Sequence, residues 1–416
     1  MQYPSPDQPF AVKAINRAGA WARRIGVGST GLDADKLMRE ASKKTGLSDF
    51  GDEGFLPGLQ ILVQSLNDEA RLSTIGRMAA TSFVLDRLCH RLQIIDYRKQ
   101  RPEVARQQIE GPLFVLGLPR TGTTIFYELL AQDPNYRWPI TYEVAEPLPP
   151  AREESFLTDP RIPAVDKQMN EIETLVPGFQ AMHELGATLP QECIAMTSSY
   201  FMCVMWGANF FIPSYDEWLR QQDGSGAYRW HRLFLQHLQV DYSKPRWLLK
   251  TPGHLPFIQA IVDEYPSAAI VQTHRDPMRV IASLASLTCA LRSAFSDEID
   301  PVQTAANETT HYARMLKTGM EQRDRIEAKE GPGRFFDVQF EDILNRPLEV
   351  IEELYGHFGF EWSLDVRNRM NTYLQNRPRE KHGKHSYTLE EFGLSREEHG
   401  PLFAEYCQRF GVKSEA

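Results

Sequence analysis

The sequence predicts an α/β protein in three layers, a central parallel sheet flanked by helices, with an N-terminal helical region attached. Three observations carry that expectation. After residue 110, four short apolar runs are each followed by a stretch of helix-forming composition. The runs are apolar at consecutive positions, as strands covered on both faces must be. Before residue 108 there is no strand-like alternation, and the spacing is helical.

Taken in order, residues 1–108 form the helical region and 109–416 the α/β domain. In "LDADKLMREASKKTG", Leu32, Leu37 and Ala41 share one side, and Gly46 supplies a stop. Residues 55–100 read as two or more amphipathic helices, and Pro102 marks a boundary. "PLFVLGL" (112–118) is the first strand, followed by a helix over about 122–132. "RWLLK" (246–250) is the second, with the helix "LPFIQAIVDEYP" after it. "AAIVQTHR" (268–275) precedes "PMRVIASLASLTCALR", and "GRFFDVQF" (333–340) precedes "RPLEVIEELYGHFG". Strands alternating with helices in this way build a parallel sheet. An insert over about 140–245, rich in aromatics and proline, interrupts the alternation.

Composition narrows the function. The chain of 416 residues has 46 Lys+Arg against 55 Asp+Glu, a net charge of −9, which argues against a general nucleic-acid partner. Cys89, Cys193, Cys203, Cys289 and Cys407 are scattered and form no C-x-x-C pair, so neither a disulfide framework nor a zinc site is expected. The N-terminus has no continuous apolar run of the signal-peptide kind, and "SSYFMCVMWGANFFIP" (198–213) is too short to span a bilayer. That stretch reads as a buried helix or the wall of an apolar pocket. The expectation is a soluble, cytoplasmic protein without a transmembrane segment.

In open α/β sheets, ligands sit beyond the carboxyl ends of the strands. The chemically interesting residues cluster at three such ends: 117–124, 250–254 and 274–276. "GLPRTGTT" (117–124) has the glycine spacing of the phosphate loop G-x-x-x-x-G-K-[ST], but Thr123 stands in the lysine position. The anion-binding part is retained: glycines that let amides turn inward, a helix start, and two hydroxyls. No Walker-B aspartate closes a strand, so Mg–ATP hydrolysis is poorly supported.

With "HRDPMRVIASL" (274–284) and "WLLKTPGHLPFIQAIVDEYPSAAIVQTHRDP", this loop resembles the corresponding segments of sulfotransferases that use 3′-phosphoadenosine 5′-phosphosulfate (PAPS). The resemblance, to the bacterial branch of that superfamily, runs from about 111 to 395 and implies a P-loop-like fold. It implies that Arg120, Thr121, Gly122, Thr123 and Thr124 bind the 5′-phosphosulfate. It also implies that Arg275 and Ser283, eight positions apart, grip the 3′-phosphate. Lys250, twenty-five residues before Arg275, is the expected cation on the departing phosphate. For the general base the resemblance offers Glu143, after the loop's helix, or His254 in "KTPGH", with Glu146 as a neighbouring candidate; the histidine spacing departs from the family, which favours Glu143. No metal is expected. The insert is expected to form the acceptor pocket, with His183 and Glu192 as candidate lining residues. Arg379, Lys381 and Lys384 are a candidate C-terminal closure of the 3′-phosphate site.

The expected activity is transfer of a sulfuryl group to a hydroxyl, or less readily an amine, of a small-molecule, lipid or carbohydrate acceptor. Two other readings compete. An ATP-dependent kinase with a degenerate loop is disfavoured by the missing lysine. A non-catalytic nucleotide-binding protein predicts binding without transfer.

Overall fold

The computed structural model describes residues 9–25, 31–182, 184–376 and 388–415. Among the described residues, four α-helices precede the sheet: α1 (Phe10–Arg24), α2 (Ala34–Thr45), α3 (Leu56–Asp68) and α4 (Thr74–Gln100). The ends of α2 are local chemistry. Asp33 Oδ1 accepts from the Lys36 amide at 2.6 Å, and Gly46, at φ 73°, stops the helix. Ser73 caps α4 by accepting from the Gly76 amide at 3.0 Å. The helix ends at Gln100, two residues before Pro102.

Among the described residues, five parallel strands form one sheet: β1 (Leu113–Gly117), β2 (Tyr136–Arg137), β3 (Arg246–Lys250), β4 (Ala269–His274) and β5 (Phe335–Gln339). Their order is β2-β3-β1-β4-β5. From central β1 the chain passes to the edge strand β2, returns to β3 between them, then crosses to the other side for β4 and β5. The crevice at that switch opens beyond the carboxyl ends of β1 and β4.

The consecutive apolar residues of β1 divide between two cores. Phe114 and Leu116 join the larger cluster with Leu249, Ile258 and Ile270, whereas Leu113 and Val115 face a second with Phe126, Leu248, Val271 and Ile351. This division is what makes three layers. Helix α5 (Thr123–Leu130) and the helix Pro347–Phe358 lie on the second face. The larger core also takes Leu37, Leu59 and Leu88 from α2, α3 and α4, so the N-terminal helices share one apolar interior with the sheet.

Three local differences from the sequence expectation have physical causes. β5 is an edge strand, so Phe335 and Val338 are buried while Asp337 is not. The segment after β3 begins as a 3-10 turn, Pro252–Phe257, because Pro256 has no amide to donate; α-helix starts only at Ile258. The insert is largely helical, including α6 (Thr141–Ala145), α7 (Ile162–Leu175) and the helix Ser225–Gln239.

Candidate active site

The loop after β1 is shaped by three residues in the left-handed half of conformational space. Gly117 has φ 149°, and a Cβ there would stand 2.3 Å from Thr273 Oγ1 and 2.7 Å from Thr273 O, so only glycine lets β1 pass this close to β4. Gly122, at φ 83°, is the N-cap of α5. Arg120 adopts φ 65°, a conformation that costs a non-glycine residue of order 1 kcal/mol and must be over-determined by its surroundings. The fastening is Thr121. Its buried hydroxyl lies 2.6 Å from Leu118 O and 2.6 Å from Thr273 Oγ1, pinning the turn to β4.

A cavity of about 1410 Å³ opens in front of this loop. Arg120, Gly122, Thr123 and Thr124 line it, as do Arg275, Glu192 and Thr251. Thr121 lies behind the loop, fully buried. The structure therefore brings most of the loop residues, Arg275 and the segment that follows β3 to one hollow. Ser283 is buried on the helix Pro277–Ser293 that follows Arg275, and is not part of the cavity lining.

Lys250 ends β3 with its side chain only 3% exposed. Its Nζ is 2.6 Å from Glu192 Oε1 and 3.5 Å from Thr124 Oγ1, and it sits 5.6 Å from the Tyr127 ring centroid. The other carboxylate oxygen of Glu192 accepts from the Thr251 hydroxyl at 3.0 Å. The backbone holds the partners together, since the Cys193 amide donates to Lys250 O at 3.0 Å. Glu192 and the Thr124 hydroxyl, on the first turn of α5, line the cavity, and the Lys250 cation lies buried behind them, outside the lining itself.

The two expected bases lie elsewhere. Glu143, wholly buried in α6, accepts from Arg137 Nη2 at 2.6 Å and from the Ile140 amide at 3.0 Å. Arg137 is itself sandwiched among Phe156, Tyr242 and Trp247. His254 is also wholly buried, its Nδ1 2.5 Å from the Tyr228 hydroxyl and its ring 5.0 Å from that of Phe114. Burial, then the neighbouring His231, pushes its pKa well below the usual histidine range. Neither residue lines the cavity, because each faces the core and not the carboxyl ends of the strands. Glu192 stands where the carboxylate was sought. No local pattern joins it to Lys250, 58 positions later. Of the remaining candidates, Glu146 lines the cavity; His183, Arg379, Lys381 and Lys384 lie outside the described residues.

Away from the loop the cavity turns apolar. Phe83, Ile172, Phe179, Val204, Met205 and Leu287 form part of its wall, with Met205 and Val204 drawn from the stretch 198–213. At its far side, Asp216, Glu308 and His311 line it near Arg292, whose Nη2 donates to Gly207 O at 2.6 Å and lies 3.6 Å from Glu308. Burial pushes the Asp216 carboxyl up to about 7 and lowers His311 to about 4.

Known proteins resemble this chain in sequence and in fold. The sequence profile described as the sulfotransferase family matches residues 112–363. An omega-hydroxy-beta-dihydromenaquinone-9 sulfotransferase, in Mycobacterium bovis and in Mycobacterium tuberculosis, is 27% identical over 314 residues, covering 71% of this chain and 75% of the relative. Among solved structures, a sulfotransferase of Mycobacterium avium superposes with a TM-score of 0.85 at 29% identity, covering 94% of this chain and 99% of that one. A second, from Mycobacterium tuberculosis, gives 0.79 at 30% identity, covering 90% and 99%.

Proposed function

The chain belongs to the sulfotransferase family, and on that premise we propose that it moves a sulfuryl group from PAPS to a hydroxyl of a lipid-like acceptor. The observation that carries this reading is the meeting of Lys250, Glu192 and Thr124 where the anion loop opens into an apolar cavity. The mycobacterial relatives are named for a hydroxylated menaquinone, which supports a long apolar acceptor here. So does the apolar wall of a cavity of about 1410 Å³, larger than a compact sugar or phenol needs.

The loop amides, the start of α5 and the hydroxyls of Thr123 and Thr124 would receive the 5′-phosphosulfate, and Arg275 the 3′-phosphate. Glu192, in place of Glu143 or His254, takes the acceptor's hydroxyl proton as that oxygen attacks sulfur in line. The new S–O bond forms as the bond from sulfur to the bridging oxygen breaks, and the electron pair leaves on the 5′-phosphate. Lys250 meets that growing charge. Its ion pair with Glu192 weakens as the carboxylate is protonated, which frees the ammonium for the phosphate. A preorganised donor of this kind is worth about 3 kcal/mol of barrier.

The test is transfer of labelled sulfate from PAPS to a long-chain primary alcohol, a phenol and a sugar, beside thermal shifts with adenosine 3′,5′-bisphosphate. Transfer to the long-chain alcohol above the others is expected, with the bisphosphate raising Tm. No shift at millimolar bisphosphate, or a larger one with Mg–ATP, would sink the reading.

A further inference from the structure

We propose that Glu415 is a built-in competitor for Arg275, so that the C-terminal tail and the 3′-phosphate of the nucleotide exclude one another. The proposal rests on the assignment of Arg275 to that phosphate.

The tail reaches the site over a short, well-anchored path. The helix Ala404–Phe410 packs on the ends of β4 and β5: the Phe410 ring stacks on His274 with centroids 4.2 Å apart, and Phe410 O accepts from Gln339 Nε2 at 2.8 Å. Gly411, at φ 62°, ends the helix, and the chain then runs across to Arg275. There the Glu415 carboxylate takes the forked edge of the guanidinium, with Oε1 to Nε and Oε2 to Nη2 both at 2.8 Å. The remaining side of Arg275 is also engaged, as Nη1 donates to Arg120 O at 2.9 Å and the group lies 3.9 Å from the Phe340 ring centroid. A two-oxygen anion on that fork is the geometry by which arginine holds a phosphate. Glu415 occupies it with a carboxylate.

A latch keeps the tail in place. The Glu415 amide donates to Asp276 Oδ2 at 2.8 Å. Arg396 bridges the same carboxylate oxygen, at 2.8 Å, to Ser414 Oγ, at 3.0 Å, and to Glu415 O. The latch is light enough to open. Arg275, Glu415 and Arg396 are partly exposed although Asp276 is buried, partial exposure weakens such pairs, and a phosphate monoester near neutral pH carries up to twice the charge of the carboxylate it must displace. Nucleotide binding therefore proceeds by exchange, with the tail lowering affinity for the 3′-phosphate and refilling its seat as product nucleotide leaves.

Glu415→Ala and Glu415→Gln test this by calorimetric titration with adenosine 3′,5′-bisphosphate and with adenosine 5′-phosphate, which lacks the competing group. The expected result is a Kd for the bisphosphate tightened about fivefold in Glu415→Ala and by less in Glu415→Gln. The monophosphate should be unchanged in both. Bisphosphate affinity that is unchanged or weaker in both variants overturns the proposal and makes the tail a clamp that orients Arg275. If neither the wild type nor Glu415→Ala binds the bisphosphate, the assignment of Arg275 falls, and this inference with it.

Discussion

Lys250 carries a charge into a place where little water reaches it, and it is tolerable there because Glu192 lies 2.6 Å away and Thr124 offers a hydroxyl. Removing either member should therefore separate chemistry from binding. Glu192→Gln and Lys250→Met are each expected to lower kcat by about 10²–10³, with bisphosphate affinity changed only a few-fold. Steady-state rates on variants that still melt cooperatively check this, and a kcat within threefold of wild type in Glu192→Gln removes the carboxylate from the reaction. Glu143 behaves differently. It forms an ion pair with Arg137, and both are sealed from solvent. Glu143→Ala should cost about 3–5 kcal/mol of stability in denaturant titration, whatever it does to activity. A measured cost near zero contradicts the structural role given to that pair.

At the scale of elements, the unit that matters is β1, its loop and α5. The loop cannot relax independently because Thr121 ties it to β4, and Gly117 brings the strands close enough for that tie. Gly117→Ala drives a methyl into Thr273 backbone and side chain, and a destabilisation above about 2 kcal/mol is expected. Gly333→Ala, which meets nothing within 4 Å, is the control and should lie within about 0.5 kcal/mol of wild type. Paired thermal melts settle the comparison; equal costs at the two sites contradict the packing account. The four longer strands were legible in the sequence because each is a short apolar run closed by polar or turn-forming residues. β2 was not, since two residues carry no periodicity and Tyr136–Arg137 pair with β3 only because the fold brings them there. The loop's spacing was legible too, whereas the inward turn of Thr121 depends on Thr273, 152 positions away.

The whole molecule keeps several imidazoles inside its core, and this gives its stability a direction in pH. Burial lowers His90 and His231 to about 3 and His237 to about 4, and holds His254 well below its usual range. Unfolded, each takes a proton near 6.5, so below that pH the unfolded state binds more protons. The stability these groups contribute is present above about 6.5 and is lost as pH falls towards their folded values. Asp216, raised to about 7 by burial, works in the opposite sense between the ordinary carboxylate range and neutrality. Tm is therefore expected to fall between pH 7 and pH 5, and to fall more steeply in Asp216→Asn. A Tm that rises over that interval contradicts the assignment of these histidines as neutral in the fold. The described helices include none long and apolar enough to cross a membrane.

The α/β class, the strand–helix alternation and an anion loop without the phosphate-loop lysine are all local properties: runs of apolar side chains, glycine spacing and helix starts. They act over a few residues and can be read from the chain. The placement of Glu192, and not Glu143 or His254, beside Lys250 is not local. It follows from the Cys193 amide pairing with Lys250 O, which sets Glu192 beside the lysine, while Arg137 and Tyr228 draw the other two candidates inward. The cavity is equally a product of tertiary packing, because α4 supplies Phe83 to a wall completed by the insert and by the helix after β4. A carboxylate's role depends on which face of the sheet it meets and on whether water can follow it there, and both are settled only when distant segments close upon one another.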